Sequence, residues 1–214
     1  MKKLLLFLIV GIIGSLVFGS IVSAESRSEE VDVQVNDEDT ELSEVLTFDE
    51  VVQKLAKDED ISIEKAEQRI IGSSSSTKLL QQSREAEIEA RAASYRTITK
   101  EFRVNSIYKP SVKFYVRVNV PFGQFAEIEE ILNVGMNRDD SGYSKKFNGT
   151  VYTNLEDKHT IHFIVNGDFY NYGTTVVDGG VSIGVGKAAT VEFNISHASD
   201  HYEYVYTSDT FEYR

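Results

Sequence analysis

The chain contains no cysteine. Disulfides, thiolate metal sites and a lipid-modified cysteine anchor are therefore excluded, and the fold must be held by packing alone. Several catalytic signatures are equally missing. There is no phosphate-binding loop and no Gly-x-Gly-x-x-Gly dinucleotide fingerprint. Positive charge is scarce: 22 Lys and Arg face 34 Asp and Glu. Nucleic acid and bare anionic membrane are unfitting partners, since phosphate recognition needs a basic patch.

The opening residues supply what the rest of the chain lacks, a long apolar run. Lys2 and Lys3 precede Leu4 to Val22, broken only by Gly and Ser, and Val22-Ser23-Ala24 places small residues on either side of Ser23. This order reads as a secretory signal peptide over 1–24, cut after Ala24. A retained membrane anchor is the rival, because the run approaches the roughly 20 residues that span a bilayer. Removing 1–24 leaves 20 Lys and Arg against 34 Asp and Glu. A cysteine-free chain behind such a signal resembles Gram-positive exoproteins in habit, a product released to the medium or held at the wall.

Two regions follow. Residues 25–93 hold 19 acids and 8 bases, whereas 94–214 are close to balanced and carry 20 of the 23 Phe and Tyr, enough for an aromatic core. Residues 25–46 bury too little to offset their ordering entropy and read as an acidic disordered tether, with a weak edge strand at 31–35 as the minor alternative. Thr47 and Glu50 have capping-box spacing ahead of Phe48, Val51, Val52, Leu55 and Ala56, which predicts a helix over 48–57. Asp58-Glu59-Asp60 ends it. Ser62 then caps a second helix ending at Gly72, and 77–93 form a polar, solvent-facing helix. The segment 47–94 is thus a helical hairpin plus a polar helix, a spacer or a removable pro-segment. Its acidity argues against a DNA-binding role.

From Tyr95 the period changes to two. Val112, Phe114, Val116, Val118 and Val120 alternate with Lys113, Tyr115, Arg117 and Asn119, the pattern of a strand with one buried and one wet face. Similar runs recur at 125–136, 147–155, 161–165, 168–177, 181–185, 191–195 and 201–213. They are punctuated by turn signals such as Lys109-Pro110, Asp139-Asp140-Ser141-Gly142, Asn148-Gly149 and Asn166-Gly167. Eight or nine short strands predict an antiparallel β-sandwich over 95–214. Residues 125–136 also fit a short helix, and strand context tips them to β.

Candidate chemistry is thin. His159, His162, His197 and His201 lack metal-ligand spacing, and no metal or other cofactor is implied. Asn137 to Ser141 could offer oxygens to calcium but read more simply as a solvated turn. Glu129-Glu130 and Glu156-Asp157 are adjacent, so alternation sends each pair to opposite faces, away from an acid/base dyad. Val181, Ile183 and Val185 alternate with small residues for too few positions to span a membrane as a strand. The remaining candidate is a set of tyrosines. Tyr202, Tyr204 and Tyr206 share one face by alternation, and Tyr170 and Tyr172 make a second row; they either present an aromatic platform or form half of a core. Glu203 and Thr207, as the wet side, favour the core.

The sequence therefore points to a secreted, non-enzymatic binding protein whose partner is a protein or a cell-surface polymer. A secreted antibacterial or membrane-active effector with a removable pro-segment is the alternative. A hydrolase assembled from separated acids is the third reading.

Overall fold

The computed structural model describes residues 38–74, 80–120, 126–176, 182–183 and 188–212. The signal segment 1–24, most of the acidic tether, the run at 31–35 and the bulk of 181–185 lie outside the described residues. What is described is mainly β and antiparallel throughout.

The first sheet has the order β1 (Thr40–Leu42), β2 (Ser94–Glu101), β3 (Ser111–Asn119), β4 (Glu127–Asn137). Residues 125–136 are thus resolved in favour of strand over helix from Glu127 on. A small hairpin of β5 (Asp139–Asp140) and β6 (Tyr143–Ser144) follows. It turns through Ser141 and Gly142, both at positive φ, as the turn residues Asp-Asp-Ser-Gly require. The second sheet contains β7 (Lys146–Leu155), β8 (Thr160–Val176), β9 (Ser182–Ile183) and β10 (Ala188–Glu212). Val112, Phe114 and Val116 of β3 and Phe163, Val165 and Phe193 of the second sheet belong to one buried cluster. The Phe114 and Phe163 rings meet edge to face at 5.5 Å. The two sheets share this core.

Two turn signals turn out to be something else. Asn148-Gly149 and Asn166-Gly167 lie inside β7 and β8, where Gly149 pairs directly with Gly167. A Cβ on Gly149 would meet the Asn166 carbonyl at 2.3 Å and the Phe147 ring at 2.8 Å, so the glycines permit a close backbone approach beneath an aromatic ring. The short runs at 161–165 and 168–177 consequently fuse into β8, and 191–195 and 201–213 into β10. The first part of β10 pairs with β7 and the remainder with β8, so one strand flanks the β7–β8 pair on both edges. Register shifts at Ile195/Ala198 and His201/Glu203 accommodate that path, as does Gly173 at φ 150, where a Cβ would lie 2.4 Å from the His197 carbonyl.

Three helices precede β2: α1 (Phe48–Glu59), α2 (Ile63–Ser74) and α3 (Leu80–Ala92). The capping box is present, with the Thr47 N–H donating to Glu50 Oε2 at 2.7 Å and the Glu50 N–H to Thr47 Oγ1 at 3.4 Å. The helix ends at Asp60, in the left-handed conformation, whose N–H bonds the Ala56 carbonyl. Ser62 caps α2 through the Lys65 N–H. α2 runs through Gly72 rather than stopping there.

The helices are not a detached spacer. Phe48, Val51, Val52, Leu55, Ala66, Ile70 and Ala90 form a second buried cluster with Tyr95, Tyr115 and Leu132 from the outer face of the first sheet. Tyr115, expected on a wet strand face, is completely buried for this reason. α3 keeps Ile88 exposed but is docked by its last turn. Arg91 stacks on Phe48 at 4.9 Å and reaches Asp49 and Glu67 at 3.3 and 3.7 Å, and the Tyr95 hydroxyl donates to the Ala90 carbonyl. The end of the acidic stretch 25–46 is ordered too: β1 pairs with β2, and Leu46 exchanges backbone hydrogen bonds with Tyr95. A few apolar side chains, Leu42 and Leu46 among them, give it the anchorage that its acidic composition conceals.

Candidate functional site

Two surfaces carry chemistry. The first is the outer face of the second sheet. On β10, Val205 and Phe211 point into the core, so Tyr204 and Tyr206 point out and are 54% and 62% exposed. Directly across β8 their partners are Asp168 and Asn166. The Tyr204 hydroxyl donates to Asn166 Oδ1 at 2.9 Å, which fixes the ring along the sheet. Further along the same strand pair, His201 and Asp168 are joined at 2.8 Å, the Tyr170 and His201 rings meet edge to face, and His162 bonds Ser208 at 2.8 Å. These two histidines are thereby engaged in side-chain hydrogen bonds. Tyr172, beyond them on β8, is 66% exposed.

Tyr202 does not join this face. The register shift between His201 and Glu203 breaks the alternation and turns Tyr202 inward, where it packs edge to face on Tyr108 at 5.8 Å and accepts from Asn105 at 2.9 Å. The buried Lys145 lies 4.1 Å above its ring. Of the five tyrosines singled out from sequence, Tyr172, Tyr204 and Tyr206 are exposed, Tyr170 is half-buried and Tyr202 belongs to the core margin. Glu203 is exposed, but the core side at this point is Val205 and the partly buried Thr207 rather than the tyrosines.

The second surface is a cleft of about 360 Å³ where the end of α1 meets β3, β4 and the β5–β6 hairpin. Asp58 and Glu59 enter from the helix, Lys113 and Tyr115 from β3, Gly135 from β4, and Arg138, Ser144 and Lys146 from the segment beyond it. Asp58 receives hydrogen bonds from Lys113 at 2.8 Å and from the Tyr115 hydroxyl at 2.6 Å. Burial pushes its carboxyl up, but these two donors outweigh burial and hold it below the usual range. Glu59 behaves oppositely. It is nearly buried, its closest cation is Arg69 at 3.9 Å, and burial raises its pKa despite Arg69, Arg138 and Lys113. Two neighbouring carboxyls are thus driven apart by environment. Desolvation and the bond to Asp58 hold the Tyr115 hydroxyl protonated.

Gly135 makes room for Glu59: a Cβ there would stand 2.6 Å from Glu59 Oε1. An isolated glycine in an apolar strand run was the sole sequence signal for this cleft. Asp58-Glu59-Asp60 read as a helix stop, and the cleft depends on contacts more than 50 residues apart that periodicity cannot register.

The other acidic candidates have structural occupations. Asp140 accepts from the Lys109 N–H and from Ser141, closing the β5–β6 region. Asp157 accepts from the His159 N–H and from Thr160 in the β7–β8 turn, and the bond from the His159 N–H lowers its pKa. Glu129 and Glu130, expected on opposite faces, both reach Arg117, at 3.1 and 3.4 Å. Register shifts on either side of Arg117 in the β3–β4 pairing suspend simple alternation there.

Comparison with known protein families, curated proteins and solved structures returns no match. What the protein does must therefore be read from these two surfaces.

Proposed function

We propose that this protein is a secreted, non-enzymatic binding protein that takes a polymer of the cell surface on the outer face of its second sheet. In this reading the signal peptide 1–24 is removed after Ala24 and the two sheets form a β-sandwich. The observation that carries it is the exposure of Tyr204 and Tyr206 side by side on a strand whose opposite face is core.

Large aromatic side chains of a folded chain are mostly covered, and rows of them left open mark contact surfaces. The residues around these rings are Asn166, Asp168, Ser208 and Thr210, which offer hydroxyl, amide and carboxylate groups. Rings that cover apolar patches, set among short hydrogen-bonding side chains with little cationic charge, suit a neutral hydroxylated chain such as a polysaccharide. The helices support an intact working form rather than a removable pro-segment, because cutting them away would bare Tyr95, Tyr115 and Leu132.

The test is co-sedimentation of the purified protein with insoluble cell-wall polysaccharide. Tyr204→Thr with Tyr206→Thr, which keeps strand propensity, is expected to weaken retention by about tenfold or more, since stacked aromatics act as binding hot spots. Equal retention of the double variant would discard this face as the binding surface. Retention of a soluble protein partner in place of polysaccharide would redirect the partner class.

A further inference from the structure

The cleft at the end of α1 is separate from the tyrosine face, and its cations are unequally matched. Asp58 is satisfied by Lys113 and Tyr115. Arg138 lines the same space and is partly buried, yet among the described residues its guanidinium makes no hydrogen bond and no ion pair within 4.0 Å. Lys146, at the start of β7 and also lining the cleft, is in the same position. A guanidinium carries five N–H donors in a fixed fork. Partial burial pushes Arg138 down in pKa, with Glu59 and neighbouring acids only partly opposing this, and its free N–H groups are open to an acceptor entering the cleft.

We propose that this cleft binds a small ligand through a carboxylate group, with Arg138 as the bidentate donor, Lys146 as a second cation and the Ser144 hydroxyl as a third donor. The volume, about 360 Å³, falls among small-molecule sites. Charge selects the class of anion. The walls hold Asp58, Glu59 and Asp139 against Lys113, Arg138 and Lys146, which balance; a proton taken up by Glu59 leaves one positive charge in excess, so a singly charged planar group is matched whereas a phosphate dianion is over-charged.

Glu59 links the site to pH. The groups facing it are Asp58 on its own helix, Arg69 on α2, Lys113 and Tyr115 on β3, and Arg138 beyond β4. An incoming carboxylate adds negative charge to that set and favours the protonated form of Glu59. Binding takes up a proton and strengthens as pH falls toward the range in which Glu59 titrates.

The experiment is an NMR titration of the uniformly ¹⁵N-labelled protein with N-acetylglycine, against N-acetylglycinamide and inorganic phosphate. Saturable shifts are expected at the amides of Gly135, Arg138 and Ser144 with N-acetylglycine and none with the neutral amide, with phosphate bound about tenfold more weakly. Arg138→Gln should weaken binding about tenfold and Lys146→Gln about threefold. Glu59→Gln should tighten it near neutrality and flatten its pH dependence. The proposal is overturned by absence of saturable shifts up to about 20 mM, by phosphate binding as tightly, or by an unchanged affinity in Lys146→Gln, the variant that decides should Arg138→Gln lose its dispersed spectrum. A Glu59→Gln variant with the original pH dependence overturns the proton coupling.

Discussion

The outer faces of the two sheets receive opposite treatment. On the first sheet, Tyr95, Tyr115 and Leu132 are roofed by helices, and Arg117 is enclosed by Glu89, Glu129 and Glu130. On the second, Tyr204 and Tyr206 stand in solvent beside Asn166 and Asp168. Tyrosine occurs on both, so residue type did not decide the outcome. What differs is the neighbour in sequence: an amphipathic α1 with five apolar residues on one side is available to the first sheet, and no described element packs over the tyrosines of the second. The same residue type is therefore covered on one sheet and left to solvent on the other.

The comparison breaks most decisively at Tyr115. It is completely buried, and its hydroxyl ties β3 to α1 through Asp58. Tyr115→Ala leaves a cavity under the helices and removes one of the two donors to Asp58, and should cost about 3–5 kcal/mol. Urea unfolding of the variant measures this. A loss below about 1 kcal/mol would mean that the helical roof contributes little and that the two faces are energetically alike.

Next in size is Gly149→Ala. Its added methyl collides with the Asn166 carbonyl, a backbone group that cannot swing aside as a side chain would. The expected loss is about 1–3 kcal/mol, read again by urea. Gly167→Ala, across the ladder, should behave alike, because its Cβ would meet the Asn148 carbonyl at 2.4 Å. This pair also shows where sequence reasoning stopped. Period-two alternation located the side chains that β3 and the run at 161–165 turn into the shared core, and capping chemistry located the start of α1, because both are local patterns. Asn-Gly, however, serves equally for a hairpin and for a close strand approach, and only the partner strand distinguishes them. The tyrosine alternation put 202, 204 and 206 on one face and favoured the core for it, whereas 204 and 206 point outward and a bulge that alternation could not foresee turns Tyr202 inward. The cleft was illegible because Asp58, Lys113 and Arg138 come together only once α1 lies on the first sheet.

A subtler test lies within that cleft, where Asp58 and Glu59 should respond to pH with opposite signs. Asp58 is held below its ordinary 3.8, so its contribution is present above that value and is lost as pH falls through its lower folded value. Glu59 is raised above its ordinary 4.5, so stability is full below that value and declines as pH climbs through its higher folded value. Asp58→Asn should therefore destabilise by about 1–2 kcal/mol near neutrality and lose part of the acid-side slope. Glu59→Gln should remove the decline on the other side. Urea midpoints followed from about pH 3 to pH 7 separate the two, and parallel curves for both variants would contradict the assigned environments.

The smallest effect on stability is expected at the bare face. Tyr204 and Tyr206 rest on their own sheet with more than half of each residue exposed, and the Tyr204 hydroxyl bond to Asn166 is open to water. Replacing both by threonine, a good strand former, should change unfolding by no more than about 0.5 kcal/mol. The same change is expected to remove most polymer retention. That dissociation of stability from binding is what separates a contact surface from an unfinished core. Were the double variant to lose several kcal/mol, the rings would belong to the packing of the sheet and the two faces would differ only in degree.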